Sequence, residues 1–398
     1  MKKKVLSMLL AGAMAVTMLS GCGSAASSST AEASSTEESS VEESSVEESS
    51  VEESSVEESS TTEGTAGGYG AGEDTGNEKV DSAVNFDREL DDYTPAKDEY
   101  NFYFTYKLIH AWWDAVGLGL ADAAEKYAEK GVTINYEYVA PVECDATDQV
   151  SRLEQAAGRG FDVIGVDVAD IEVVTPTINN LIAAGQKVMT FSSSDATHED
   201  GCDRIAYVGN THNKQDGADL AEALCEKLDY KGQVGILVGS QGAPCHEDRA
   251  AGAQEVFAKY PDIEVVDIQY DNDNVENALT LAEGMLKQYP DLAGFICCNM
   301  GNPVGAAQAV VDAGKEGEVV ICGMDHDQRA LEYLRDGVIY ALGVQDCYSM
   351  GFDTIQVAIK IADGLEVGVD YPEQTEEITT IVYQDDAQAM LDKLYGEA

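Results

Sequence analysis

The stretch NFYFTYKLIHAWWDAVGLGLADAAEKYAEKGVTINYEY, residues 101–138, holds one complete unit of the fold. Asn101 to Thr105 is a short apolar run rich in aromatic residues, the composition of a strand. Trp113, Val116, Leu120, Ala124 and Tyr127 then recur at spacings of three and four, which lays an apolar stripe along a helix. Thr133 to Tyr138 returns to strand. A strand, a helix and a strand in this space make a βαβ unit, whose strands run parallel because the helix carries the chain back over the sheet.

The pattern continues toward the C-terminus. Helix 149–157, strand 162–166, helix 173–184 and strand 187–191 follow, and a second series begins with strand 205–208 and helix 214–228. Strand 233–238, helix 248–259, strand 264–268, helix 275–288, strand 294–298, helix 304–313, strand 319–322, helix 328–335 and strand 339–344 extend it. Repeated βαβ units predict an α/β protein with parallel sheets covered by helices on both faces. The folded part from about Asp98 exceeds the roughly 100 to 200 residues of one ordinary domain, so two Rossmann-like lobes are expected.

Toward the N-terminus the character changes. Lys2, Lys3 and Lys4 precede an apolar run from Val5 to Leu19, the layout of a secretory signal. It ends in Leu19-Ser20-Gly21-Cys22, which resembles the lipobox of bacterial lipoproteins. That resemblance implies cleavage after residue 21 and a lipid on Cys22. Four copies of Val-Glu-Glu-Ser-Ser from Val41 to Ser60 and a Gly-rich stretch follow. With one apolar residue in five, such a repeat cannot offset the entropy of ordering. Residues 22–97 are therefore expected to be a disordered acidic tether reaching roughly 45 Å.

The formal net charge is −50, and the 21 bases and 60 acids from Asn77 onward leave that part at −39. Nucleic-acid binding is excluded, because phosphate recognition needs clustered cations. Eight cysteines besides Cys22 show no CxxC spacing, and burial as free thiols is their expected state. Gly117-Leu118-Gly119 falls inside the first helix and reads as helix packing instead of a dinucleotide turn. There is no Walker sequence and no Gly-x-Ser-x-Gly elbow. No metal or cofactor site is expected from the five histidines, although His110, His246 and His326 each follow a strand and could meet across a cleft.

Lys107-Leu108-Ile109-His110-Ala111-Trp112-Trp113-Asp114, then Thr190 to Ala196, then Arg204 to Asn210, resemble in that order the periplasmic sugar-binding proteins of the ribose-binding type, the solute receptors of ABC importers. The resemblance implies the type I periplasmic binding protein fold, in which three hinge crossings join the lobes and a monosaccharide binds between them. It divides the chain into a first lobe of 98–206 with 346–374 and a second of 207–345 with 375–398. Asn299, Asp325 and Gln345, each at the carboxyl end of a strand, match ligands for sugar hydroxyls. Arg249 matches an Arg-bearing loop and is either a ligand or an internal salt bridge; Asp167 and His110 are further candidates. Trp112 and Trp113 offer aromatic faces for C–H groups. Trp112 lies off the helix stripe and is expected in the cleft, whereas Trp113 lies on it and is expected in either core or cleft.

Three departures bear on the ligand. Ser192-Ser193 stands where the family has Asp-Arg, Glu247 replaces an Arg, and Asp271-Asn272-Asp273-Asn274 replaces an aromatic unless Tyr270 turns inward. A solute site survives these changes, while ribose itself is not implied. The leading reading is a lipid-anchored receptor on the outer face of the bacterial cytoplasmic membrane. It would be monomeric and would bind a sugar or polyol for an ABC permease and ATPase, without catalysis. A sensory receptor serving a signalling partner is the alternative, and an extracellular hydrolase is a distant third.

Overall fold

The computed structural model describes residues 69–396, apart from 71 and 73. The signal segment 1–21, Cys22 and the acidic repeats lie outside the described residues. Those described belong to one compact unit, Thr61–Ala398.

After a short helix α1 (Glu78–Ala83), the first lobe alternates β1 (Glu99–Thr105), α2 (Trp112–Glu129), β2 (Thr133–Val139), α3 (Ala146–Ala157), β3 (Val163–Val166), α4 (Ile171–Ala183), β4 (Val188–Ser192) and β5 (Tyr207–Gly209). The second lobe runs α5 (Asn213–Lys227), β6 (Gly232–Val238), α6 (Pro244–Phe257), β7 (Ile263–Tyr270), α7 (Val275–Gln288), β8 (Leu292–Cys297), α8 (Gly301–Asp312), β9 (Val320–Met324), α9 (Gln328–Arg335) and β10 (Ala341–Gln345). The chain then returns to the first lobe as α10 (Cys347–Asp363) and β11 (Gln374–Glu376). It ends in the second with β12 (Thr379–Tyr383) and α11 (Gln384–Tyr395).

The sheets are ordered β11-β5-β4-β3-β1-β2 and β12-β10-β9-β8-β6-β7, so each is the same doubly wound design with one added edge strand. Register fixes which loops converge. Phe102 pairs with Tyr136 on one side and Val163 on the other, and Ile236 pairs with Ile268 and Ile296. In this order the chain winds outward in opposite directions from β1 and β3, and from β6 and β8. The loops at their carboxyl ends open a crevice there, the place where open α/β sheets bind ligands.

Four expectations change. The first crossing follows Gly209, because β5 is hydrogen-bonded to β4 and so belongs to the first lobe, not the second. The third follows Glu376, because β11 pairs with β5. The second sheet is not wholly parallel: β12 enters from that crossing and runs antiparallel to β10. Residues 77–97 are folded onto the lobes instead of extending the tether. Val80, Ala83 and Val84 are fully buried, and Asn77 caps α1 through its side chain.

Helix packing accounts for Gly117-Leu118-Gly119. A Cβ on Gly119 would lie 1.9 Å from the Tyr348 carbonyl oxygen, and one on Gly351 would lie 2.0 Å from that of Val116, so α2 and α10 cross almost backbone to backbone. All eight described cysteines are free, and all but Cys144 are buried. Among the described residues no helix is long and apolar enough to cross a membrane.

Candidate functional site

The lobes meet in a closed arrangement around a small cavity. The first lobe contributes Lys107, Leu108 and His110 after β1, Trp112 and Trp113 from α2, and Ser193 after β4. The second contributes His246 and Arg249 from α6, Asp273 after β7, Asn299 after β8 and Asp325 after β9, and Gln345 closes the hinge end. Eight of the ten residues singled out in the sequence therefore line one space. The other two stand behind it. Asp167 is buried and accepts from the Ser194 N–H at 3.2 Å, and Ser192 turns its hydroxyl onto the Ser193 N–H at 2.6 Å.

Backbone geometry at the strand ends aims these groups. Ser192 and Asp325 have φ of +78° and +73°, a conformation that costs a non-glycine residue energy and is held by its surroundings. Asp325 is pinned by its N–H on the Gly343 carbonyl at 2.7 Å. Its carboxylate accepts from Trp112 Nε1 at 2.9 Å across the cleft and from Gln345 Nε2 at 2.6 Å. Trp112 thus faces the cleft. Trp113 does both jobs, lining the cavity while its ring packs 4.6 Å from that of Tyr106 in the core.

Among the described residues Arg249 is in no salt bridge. Its guanidinium donates to the Cys298 carbonyl at 3.0 Å and to Gln345 Oε1 at 2.9 Å, and its Nε is buried without a partner. A buried, unfilled donor on a cavity-lining side chain suits a hydroxyl acceptor. His110 accepts the Trp112 N–H through Nδ1 at 3.2 Å and so shapes the turn that presents that ring. Tyr270 donates to Glu247 at 3.0 Å and is outside the cavity lining, so its ring does not replace the missing aromatic. Of the three histidines that follow strands, His110 and His246 line the cavity and His326 is outside its lining. His326 instead sits with Asp325 and Cys347, whose candidate donor atoms lie within 4.8 Å of one another, but the Asp325 carboxylate is already bonded by Trp112 and Gln345.

Lys107, His246 and Asp273 were not among the expected sugar ligands, although His246 was read as a histidine that could reach the cleft, yet they set the electrostatics. The Lys107 ammonium is buried and donates to Ser194 Oγ at 3.1 Å and to Cys245 Sγ, on the other lobe, at 3.3 Å. Asp167 lies 4.0 Å away. A buried ammonium requires anionic partners. Burial alone would raise the Cys245 thiol, but His246 and Lys107 outweigh it and hold it well below its ordinary value. Burial pushes Asp167 up to about 7 even against Lys107. Asp273 is also buried, but His246, Lys107 and hydrogen bonds from Ser240 and Asn299 bring it to about 2. Asp271 behind it is raised to about 7 by burial and by the charge of Asp273. The signal for these residues was position alone: each lies in or beside a loop at the carboxyl end of a strand.

The sequence profile described as periplasmic binding protein domain matches residues 102–366, two thirds of the chain. This chain belongs to the periplasmic binding protein family. A family relative, the D-ribose/D-allose-binding protein of Pseudomonas aeruginosa, is 28% identical over 225 residues, covering 56% of this chain and 70% of the relative. The D-allose-binding periplasmic protein of Escherichia coli is 26% identical over 260 residues, 63% of this chain and 81% of its own. Among solved binding proteins, an ABC transporter solute binding protein from Burkholderia graminis in complex with D-arabinose superposes with a TM-score of 0.66 at 26% identity, covering 74% of this chain and 98% of that one. A glucose-galactose binding protein from Geobacillus stearothermophilus gives a TM-score of 0.66 at 26% identity, covering 73% and 99%.

Proposed function

We propose that this chain is the sugar- or polyol-binding receptor of an ABC importer, tethered outside the cytoplasmic membrane through a lipid on Cys22 and acting as a monomer. The observation that carries the reading is the cavity itself. Trp112 supplies an apolar face, while Asn299, Asp325, Gln345 and Arg249 supply donors and acceptors around it. A pyranose or polyol has the matching surface of C–H faces and a hydroxyl rim. Further support comes from the family and from relatives named for D-ribose and D-allose. Ligand bonds from both lobes favour the closed form, which is the signal a permease would read.

The ligand is neutral. Lys107 is already paired with Cys245 and Asp167, the one open donor of Arg249 suits a single hydroxyl acceptor, and the strongly acidic chain repels anions at long range. Calorimetry against D-ribose, D-allose, D-arabinose, xylitol and the corresponding sugar phosphates tests this. At least one neutral compound is expected to bind, with its phosphate at least tenfold weaker; a phosphate that binds better than every neutral compound overturns the reading. For the anchor, Cys22→Ala is expected to abolish labelling by a radioactive fatty acid, and unchanged labelling refutes it.

A further inference from the structure

The segment just before β1 is bonded to both lobes and to the hinge between them. Its first part lies on the second lobe, where α1 packs on α11 and β12. Asn77 and Lys79 reach Asp386 at 3.2 and 2.6 Å, and Lys393 reaches Asp74 at 2.8 Å. Its later part lies on the first lobe. The Asp91 N–H donates to Gln356 at 2.7 Å and the Asp91 carboxylate takes the Lys360 ammonium. The Tyr93 hydroxyl and the Ala96 N–H both donate to Asp363 at 2.9 Å. Between these ends, the Asn85 N–H donates to Asp346 in the second crossing at 3.3 Å. Arg88 bonds Asp353 and Ser349 on α10, and Glu377 in the third crossing at 2.9 Å.

We propose that residues 74–97 are a strap bracing the hinge, so that strap docking and lobe closure form one coupled equilibrium. Contacts to both lobes and to two crossings cannot all persist when one lobe rotates against the other, because the strap is only a short helix and an extended run. They are made here in the closed arrangement, with Trp112 bonded to Asp325 across the cleft. Whatever is formed only on closure favours the closed form, and it strengthens binding of any solute that needs closure. Arg88 has a particular part, since Asp346, Asp353 and Glu377 crowd three buried acids around the hinge and Arg88 is the cation placed among them. The affinity part of this inference rests on the sugar-binding reading; the closure part does not.

The test releases each end separately in the full mature chain, with Asp91→Asn on the first lobe and Asp386→Asn on the second. Trp112 and Trp113 are the only tryptophans and are almost fully buried at the closed cleft, so acrylamide quenching of their emission reports opening without any ligand. Each variant is expected to raise the quenching constant at least twofold and to weaken the best neutral sugar of the calorimetric panel at least threefold. The double variant is expected to be no worse than the stronger single one, because either release removes the same coupling. Segments that merely stabilise their own lobes would lower the melting temperature while leaving quenching and affinity unchanged, and that result overturns the strap. If no sugar of the panel binds the parent protein, the sugar reading fails by itself and quenching alone decides: unchanged quenching in both variants still overturns the inference.

Discussion

Trp112 joins the lobes through a single polar atom while offering its ring to the cavity, so its removal separates binding from folding. Trp112→Ala removes a stacking face, on the order of 1 kcal/mol beyond contact area, and the cross-cleft bond to Asp325, roughly another 1 kcal/mol. A loss of sugar affinity of tenfold or more is expected in calorimetry. Trp113→Ala should instead cost about 3 to 5 kcal/mol of folding stability in urea titration, because that ring is wedged between Tyr106 and Phe191. Equal affinity in Trp112→Ala and the parent would put the solute elsewhere. Both rings were legible from helix periodicity, one on the stripe and one off it. Asn299, Asp325 and Gln345 were legible through the family resemblance, which matched them as polar residues at the carboxyl ends of strands, where loop capping is the other common use. Lys107 and Asp273 were not, and His246 was read only as a histidine that could reach the cleft, because their inward aim depends on contacts between lobes and on the positive φ of Asn272 and Asp273, which no periodicity records.

Elements were legible in proportion to their one-sidedness. The boundaries of α7 and α9 coincide with the expected 275–288 and 328–335, since both carry a clear apolar face. The spacing gave no such stripe for α10, which is buried nearly all round, from Cys347 through Ile359 without a break. Six-residue α1 is too short to display a period, and β11 and β12 are an edge strand of three residues and one of five. The α2 and α10 pair makes a prediction that helix propensity alone would get wrong. Gly→Ala inside a helix ordinarily stabilises by up to about 1 kcal/mol. At Gly351 the new Cβ would sit 2.0 Å from the Val116 carbonyl oxygen, so the helices must part. Gly351→Ala is expected to destabilise by roughly 1 to 3 kcal/mol in urea titration. A stabilised variant would mean that the two helices are packed less closely than described.

At the scale of the whole molecule, buried acids set the response to pH. Asp167 and Asp271 are both raised to about 7, chiefly by burial, and burial also raises Glu377 at the hinge despite Arg88. A carboxyl whose pKa is higher in the folded than in the unfolded state binds more protons when folded, so its contribution is complete below about pH 4 and is lost as pH rises through the folded value. Asp273 has the opposite sign, but its window lies between about 2 and 4 and does not reach neutrality. Cys245 and His246 act as a pair. With the thiol lowered and the imidazole raised, against the burial of both, the folded pair holds one proton as thiolate and imidazolium. The unfolded pair holds two below about pH 6.5 and one above it, so the pair offsets about one of the three carboxyls on the acidic side and is neutral on the other. Burial also lowers the His326 imidazole, which offsets about one more carboxyl on the acidic side. About one carboxyl's worth of the opposing sign therefore remains there and more above it, and relief of repulsion in a chain at −50 adds to it. Folding stability is therefore expected to fall from pH 5.5 to pH 7.5 by on the order of 2 to 4 kcal/mol, seen as a lower urea midpoint at the higher pH. Asp271→Asn should flatten part of that slope, because it removes one of the titrating groups while keeping an acceptor for Asn302. A midpoint that is level or rises with pH would mean that these carboxyls are ionised in the folded protein, which would require the buried cleft to be wetter and more open than the closed arrangement allows.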